Sequence, residues 1–244
     1  MSLAAIDADI PLYRAMTLAE QEINWFDNVW TLYADIDEAQ KIFANQIDKI
    51  KEKLKTDDIL CCLSDRGDNF RKGIYPSYKS NRKSTRKPCG FDAMIDWVES
   101  EYPHLRKPSL EADDVLGIIA TKPDNFGKVI VVSDDKDLKT IPCKLYRPMS
   151  DELMEIRPIQ ADAYFYTQTL TGDPTDGYSG CKGVGAKTAA KILGNRPAWS
   201  SVEQAFIKAG MTRDDAIQQA RLARILRWSD WHEEIQEIRL WTPT

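Results

Sequence analysis

The stretch from Val129 to Leu138 reads VIVVSDDKDL and decides the fold that we expect. Its first four residues are apolar and β-branched, which is typical of a strand buried on both faces inside a parallel sheet. Three acids, Asp134, Asp135 and Asp137, follow at once, where α/β folds place their ligands. Taken alone, such acids can lie in a solvated loop or cap the next helix, so the interpretation depends on whether the pattern recurs.

The same order of apolar run and then acid occurs twice more. Leu3–Ile6 is followed by Asp7, and Ile59–Leu63 is followed by Ser64 and Asp65. Two further groups of acids lie in the segment EADD, which opens a helix, and in the loop GDPTDG. We therefore predict that five separate places supply one carboxylate site. The nine candidate metal ligands are Asp7, Asp65, Glu111, Asp113, Asp114, Asp135, Asp137, Asp173 and Asp176.

Carboxylates gathered in this way repel one another unless cations lie between them, and desolvating even one costs several kcal/mol. An all-oxygen set favours Mg²⁺, with Mn²⁺ as a substitute. Two such ions about 4 Å apart can activate a water and stabilise both oxygens of a phosphodiester exchange. Zinc is not expected, since the five cysteines show no CxxC spacing and the chain has two histidines. The same spacing argues against a disulfide framework.

Net charge is −5 over 244 residues, which by itself argues against a nucleic-acid partner. Removing the nine site acids from that total leaves +4 for the rest of the chain. Eight Lys and Arg residues also fall between Arg66 and Lys87, interleaved with Phe70, Tyr75 and Tyr78. Cations set among aromatic rings suit single-stranded nucleic acid, since rings stack on bases. A solvated basic loop is the alternative interpretation of this segment.

The turn Lys182-Gly183-Val184-Gly185 opens a helix that carries further basic residues. A glycine turn at a helix N-terminus lets backbone N–H groups point at a phosphate. No GxGxxG follows a strand, so a dinucleotide site is not supported. We predict a helix-hairpin-helix that grips a DNA backbone. Its contact residues would be Lys182, Gly183, Gly185, Lys187, Thr188 and Lys191.

Other features bound the architecture. Length and a hydrophobic content of 43% allow one large core with a helical appendage. We predict helices over residues 20–58, with Trp25, Phe26 and Trp30 in the core, and an edge hairpin near residues 144–156. No apolar run approaches the roughly 20 residues of a membrane span, and the N-terminus shows no export signal. A cytosolic location is the default expectation.

The blocks IDAD, SD with FRKGIYPSYKSNR, EADD, SDDKDL and GDPTDG leading into GCKGVGAKTAAKIL resemble the 5′-to-3′ exonucleases of the flap-endonuclease superfamily, especially the stand-alone enzymes of short-tailed phages. They occur in family order over most of residues 3–193. The resemblance implies an α/β PIN-like 5′ nuclease core with a central, largely parallel sheet. It implies a core domain over 1–158 with a helical arch at about 66–100. A helical lobe over 159–244 would carry the helix-hairpin-helix at about 173–194.

The resemblance also assigns roles to individual residues. Lys79 and Arg82 match the basic pair at the base of the arch, and Tyr78 would stack on a terminal base. Catalytic roles fall on Lys79, Arg82, Asp114 and Asp135. Asp9 and Asp134 match no ligand position of the family. Further DNA contacts implied for the core are Arg14, Arg71, Lys72 and Lys83.

The implied activity is Mg²⁺-dependent hydrolysis of duplex DNA from 5′ ends or at 5′ flaps, in phage replication and recombination. RNA paired to DNA is a further implied substrate. K⁺ bound at the helix-hairpin-helix is a further implied cofactor. The expected form is a monomer in the host cytoplasm. Two alternatives stay open: a ribonuclease of the PIN type, and a non-catalytic, structure-specific DNA-binding protein.

Overall fold

The computed structural model describes residues 2–84 and 86–243, and for residues 83 and 84 it describes the backbone alone. The side chain of the predicted DNA contact Lys83 therefore lies outside the described residues. In chain order the strands are β1 (Leu3–Asp7), β2 (Glu20–Phe26), β3 (Val29–Ala34), β4 (Ile59–Cys62), β5 (His104–Leu105), β6 (Val129–Val132), β7 (Lys144–Arg147), β8 (Glu152–Glu155), β9 (Trp231–His232) and β10 (Glu237–Ile238).

Helices connect and cover these strands. They are α1 (Asp9–Ala19), α2 (Ile36–Leu54), α3 (Arg71–Ile74), α4 (Phe91–Glu101), α5 (Ala112–Thr121), α6 (Pro158–Thr171), α7 (Ala186–Leu193), α8 (Trp199–Lys208) and α9 (Arg213–Ala223). Short 3-10 helices span Ser80–Ser84, Lys136–Thr140 and Trp228–Asp230. In the described part of the chain, no helix is long and apolar enough to cross a membrane.

The central sheet has six strands in the order β5-β4-β1-β6-β7-β8. All neighbours pair in parallel except β7 and β8, which form the antiparallel hairpin predicted at the edge. Strand β6 is buried along its whole length and lies between β1 and β7, as its four β-branched residues predicted. The predicted fold class, a largely parallel α/β sheet, is confirmed.

Alternate residues of the inner strands face two separate cores. Ile6 and Val132 pack into a core formed with α1, α2 and α4, whereas Ala5 and Val131 pack into a core formed with α5. Because side chains in a strand point alternately to opposite faces, the sheet is covered by helices on both sides. The polar residues that follow β1, β4 and β6 are left at the carboxyl edge, between the two helical layers.

The third core joins α6 to α9 and includes Phe165, Val202 and Phe206. The predicted arch segment, residues 66–100, holds α3, one 3-10 helix and most of α4. Helix α4 packs on the sheet through Met94 and Val98, so only the stretch before it is free to border the carboxyl edge. The division of the chain at residue 158 and the arch itself stay predictions.

Residues 20–34 correct the sequence interpretation, because they form the antiparallel hairpin β2–β3 instead of helix. The side chains predicted to be core are exposed: Trp25 by 60%, Phe26 by 68% and Trp30 by 57%. Asp27 and Asn28 form the two-residue turn, both with positive φ (43° and 65°). Such a turn between β-branched and aromatic residues is a hairpin signal. The helical prediction was wrong because that local turn chemistry was not weighed.

Candidate active site

A cavity of about 260 Å³ opens at the carboxyl edge of β1 and β6, and eight acids contribute to its lining. Seven of the nine predicted metal ligands line it: Asp7, Glu111, Asp113, Asp135, Asp137, Asp173 and Asp176. They come from the end of β1, the start of α5, the loop after β6 and the loop after α6. Parallel pairing explains the convergence of the first groups, since Ile6 is in register with Val132.

Asp7 lies at the centre of this arrangement and is only 5% exposed. Burial, followed by the charge of Asp9, raises the pKa of Asp7 to about 7. The Ser133 hydroxyl donates a hydrogen bond of 2.8 Å to Asp7 Oδ2, which favours the charged form in part. The carboxylate is therefore costly to keep charged unless a cation lies beside it.

Asp113, in the first turn of α5, shares this environment. Its pKa is raised well above the usual value, first by burial and then by the charges of Asp7 and Asp135. The capping arrangement of Glu111 and Asp114 at the N-terminus of α5 fixes the helix start from which Asp113 projects. Two acids of the EADD segment, Glu111 and Asp113, therefore line the cavity, while Asp114 caps the helix.

The 3-10 helix after β6 fixes the next two acids. Asp135 caps it by accepting from the Asp137 N–H at 2.8 Å. Asp137 Oδ1 in turn accepts a hydrogen bond of 2.6 Å from Gln168 Nε2, which lies on α6. Burial, then the charge of Asp135, raises the pKa of Asp137 to about 6. The two side chains are thus held toward the cavity by hydrogen bonds that leave most of their lone pairs free.

Three side-chain cations border the acids. Lys79 Nζ lies 2.5 Å from Glu111 Oε1, Arg82 donates to Asp176 Oδ1 at 2.7 Å, and Lys136 lies 3.3 Å from Asp173 Oδ2. Lys79 adopts a positive φ of 53°, and its N–H donates to the Asp176 carbonyl at 2.9 Å. Residues 79 and 82 are thus anchored to the loop after α6.

The donor set fits hard divalent cations. Carboxylates crowd a partly buried cavity, and burial first, then the charge of neighbouring acids, raises the pKa values of Asp7, Asp113 and Asp137. Oxygen-only donors of this kind suit Mg²⁺ or Mn²⁺. Over residues 2–84 and 86–243, no three acids, cysteines or histidines lie close enough to form a preassembled metal cluster.

Two predicted ligands lie outside the cavity. Asp65 Oδ2 accepts from the Ser109 N–H at 2.8 Å, and Ser109 has a positive φ of 61°. Asp65 thereby stabilises the loop before α5, and it lines a separate cavity together with Lys79 and Glu111. This cavity shares Ser64, Tyr78, Lys79, Arg82 and Glu111 with the acid-lined one.

Asp114, predicted as a ligand and catalytic residue, is fully buried. Arg71, predicted as a DNA contact, donates to both of its carboxylate oxygens at 2.7 Å. Arg71 also donates to the carbonyls of Leu222 and Arg224. The Arg71 side chain is 3% exposed and lines the acid-lined cavity, with its guanidinium bonded to these partners, so its DNA contact stays a prediction. The pair ties α3 to α5 and to the end of α9.

Other predicted DNA contacts divide into buried and exposed residues. Tyr78 is 2% exposed, so its ring cannot stack on a base here; its hydroxyl instead donates to Glu111 and Asp176. Lys72 is exposed and pairs with Asp68 at 2.8 Å. Arg14 is exposed on α1, where it donates to the Met149 sulfur at 3.0 Å.

The predicted helix-hairpin-helix contacts lie together on one surface. Gly183 has a positive φ of 76°, and a Cβ added at Gly183 or Gly185 would meet no atom within 4 Å. Lys182, Lys187 and Lys191 are exposed around this turn, as is Thr188. The backbone N–H groups of the turn before α7 are therefore accessible to a ligand of the size of a phosphate.

Two cavity residues were missed from the sequence. Asp9 lines the cavity and accepts weakly from the Ser64 N–H, and burial raises its pKa. Lys136 lies between Asp135 and Asp137 and pairs with Asp173. The spacing Asp7-x-Asp9 at a strand end was the available signal for the first, because a strand that turns into a helix brings i and i+2 to the same end.

Comparisons with known proteins decide the family. Residues 3–160 match the model of the 5′-3′ exonuclease, N-terminal resolvase-like domain. The chain belongs to this family. It is 32% identical to the exonuclease of Escherichia phage T7 and 31% identical to the exodeoxyribonuclease of Enterobacteria phage T3. Each alignment covers 99% of this chain and 93% of the relative. The predicted resemblance to phage 5′-to-3′ exonucleases is confirmed.

A solved structure shows the same fold. The T5 5′-exonuclease with bound zinc superposes with a TM-score of 0.69 at 14% identity, over 91% of this chain and 89% of that chain. At that identity the match bears on the fold alone, and it confirms the mixed α/β core of this family member.

Proposed function

We propose that this protein hydrolyses the phosphodiester bonds of double-stranded DNA from 5′ ends, as a 5′-to-3′ exonuclease that also cleaves at 5′ flaps. The observation that carries the proposal is the cavity at the sheet edge, where acids from four parts of the chain meet two cations of residues 79–82. Similarity to the phage T7 and T3 enzymes over almost the whole chain supports it.

The cations bind and orient the substrate in this proposal. Lys79 and Arg82 border the cavity on one side and would hold the scissile phosphate against the acids. Their present partners, Glu111 and Asp176, are released when a phosphate replaces them. Lys79 is also the more enclosed of the two, since its side chain is 19% exposed and that of Arg82 is 50% exposed. Arg82 would thus meet the DNA first.

Asp7, Asp113, Asp135 and Asp137 would hold the divalent cations. When bound there, Mg²⁺ would supply the positive charge that activates the attacking water and stabilises the phosphate oxygens. Ser133 and Gln168 orient two of these carboxylates through the hydrogen bonds to Asp7 and Asp137. Because metal ligands must be deprotonated, metal affinity should rise with pH through the raised pKa values of Asp7 and Asp137.

The remaining parts of the proposal follow from the family. The turn at Gly183 would grip the duplex backbone, and K⁺ held there by backbone carbonyl oxygens is a further proposed cofactor. RNA in RNA–DNA hybrids is a proposed second substrate. We propose a monomer that works in the host cytoplasm during phage DNA replication and recombination.

The test is a time course on duplex DNA labelled at one 5′ end, with Mg²⁺ or with EDTA, beside the same duplex carrying a 5′ flap. We expect Mg²⁺-dependent release of labelled mono- or short oligonucleotides. The variant Asp113→Asn should abolish release, whereas the matched control Asp124→Asn, at an exposed site away from the cavity, should not. Intact label with retained DNA binding would favour a binding protein, and cleavage of RNA alone would favour a PIN-type ribonuclease.

A further inference from the structure

A second cavity, of about 310 Å³, adjoins the acid-lined one. It lies between α1, α2, the end of β6 and the turn between β7 and β8. Asp7 and Ile10 line both cavities, so the two spaces are separated only by the end of β1 and the start of α1. None of the predicted metal ligands apart from Asp7 contributes to the second space.

The walls of the second cavity are mainly apolar. They come from Ile10 and Pro11 on α1, Ile50 on α2, and Pro148 and Met149 in the β7–β8 turn. A cavity of this size with mainly apolar walls is typical of sites for small organic ligands, and such walls suit a nucleobase. Besides Asp7, two acids line it, but both are engaged by the protein: Asp134 accepts from the Met149 N–H and Asp151 pairs with Lys53.

Two cations stand at its edge without strong partners. Arg14 donates to the Met149 sulfur, which is a weak acceptor. Lys49 has no ion-pair partner among the described residues, whereas Lys51 and Lys53 on the same helix pair with acids. The edge of the cavity is therefore free to bind an anion, while its interior is free to bind an apolar ring.

We infer that this second cavity binds the base and sugar of a nucleotide whose 5′-phosphate is contacted by Arg14 and Lys49 at the cavity edge. The ligand class is a nucleoside 5′-monophosphate, or the terminal nucleotide of a strand. The inference rests on the proposed nuclease function for the origin of the ligand. Its evidence is the shared wall at Asp7 and Ile10, the apolar lining and the complementary charge at the edge.

Nucleotide binding can be measured apart from cleavage, because a mononucleotide contains no phosphodiester bond. We would titrate 2′-deoxyadenosine 5′-monophosphate into the full chain with Mg²⁺ by calorimetry, with inorganic phosphate alone as the reference probe. Gln46→Trp would fill the cavity from α2. The Gln46 side chain donates a hydrogen bond to the Ile42 carbonyl, one turn earlier in the same helix. Its control is Asn45→Trp, an exposed neighbour outside the cavity. Lys49→Ala is matched by Lys41→Ala, which is exposed on the same helix.

We expect both Gln46→Trp and Lys49→Ala to weaken nucleotide binding about tenfold or more, as for loss of a charge-assisted contact. The two controls should bind like the wild type, and inorganic phosphate should bind more weakly than the nucleotide. Equal binding by all four variants would overturn the inference while leaving the nuclease proposal in place. Nucleotide binding that is sensitive to residue 46, in a protein that cuts no DNA, would support the cavity and overturn the nuclease proposal instead.

Discussion

Replacing Arg71 with methionine removes the buried partner of Asp114 and is the sharpest single test of the site geometry. Arg71 donates two bonds of 2.7 Å to that carboxylate, and Asp114 is completely inaccessible to solvent. Breaking a buried pair by removing one partner costs about 3–5 kcal/mol, since a charge is left uncompensated. That is a large share of the roughly 5–15 kcal/mol by which domains are stable. Arg71→Met should therefore lower the free energy of unfolding by about 4 kcal/mol.

The assay is urea unfolding at pH 7, followed by tryptophan fluorescence. The double variant Arg71→Met/Asp114→Leu should recover much of the lost stability, because apolar replacement of a buried pair is often neutral or favourable. Lys72→Met is the adjacent control, and its partner Asp68 is 88% exposed in the side chain, so no measurable change is expected. Wild-type stability of Arg71→Met, combined with weaker DNA binding and a shallower salt dependence, would refute this reasoning and restore Arg71 as a DNA contact.

Four further predictions test the acids, the basic residues and the hairpin. Asp135→Ala should lose cleavage while gel-shift affinity for DNA is retained; cleavage at the wild-type rate would remove Asp135 from the site. Lys79→Ala should lower the slope of log affinity against log salt by about 0.7–0.9, and an unchanged slope would place Lys79 off the DNA path. In EDTA, stability should fall as pH rises from about 4 to about 7, because the folded state binds the Asp7 proton more tightly than the unfolded chain does. Asp7→Asn should flatten that pH dependence of stability, to which the Asp7 carboxyl contributes at most about 4 kcal/mol. An unchanged profile would contradict the assignment of the raised pKa to Asp7. Trp30→Ser, on the exposed hairpin, should change the free energy of unfolding by less than about 0.5 kcal/mol. Phe43→Ala, in the core, should lower it by about 3–5 kcal/mol. Similar losses for both variants would mean that Trp30 belongs to the core.

The sheet was predictable because its strands carry their signal locally. Runs of four or five apolar residues that end in acid specify buried parallel strands, and β1, β4 and β6 do end at the predicted edge. The β2–β3 hairpin was not predicted, although its Asp27-Asn28 turn is also a local signal. Its aromatic residues were assigned to the core by hydrophobicity, but a two-stranded ribbon in this chain leaves both of its faces exposed.

Ion pairs and hydrogen bonds between residues that are distant in the sequence could not be predicted. Asp114 and Arg71 are 43 positions apart, and Tyr78 and Asp176 are 98 apart. Nothing in the EADD or FRKG segments distinguishes an acid or a base that faces solvent from one that is paired and buried. Arg71 meets Asp114 of α5 through tertiary packing, in which α3 also contacts α9.

The sequence predicted that nine acids need cations, and the structure shows how much of that charge the protein itself offsets. Nine acids do require neutralisation, yet the protein itself supplies much of it. Side-chain cations pair with four of the predicted ligands, and a backbone N–H bonds to a fifth. These five are Glu111, Asp114, Asp173, Asp176 and Asp65.

The other four acids, Asp7, Asp113, Asp135 and Asp137, have no ion-pair partner within the part of the chain that the structure describes. Three of them, Asp7, Asp113 and Asp137, have raised pKa values, each caused first by burial and then by a neighbouring acid. The divalent cations that we propose would therefore be held at the end of β1, the first turn of α5 and the loop after β6. Those are the places where a phosphate held by Lys79 would meet them.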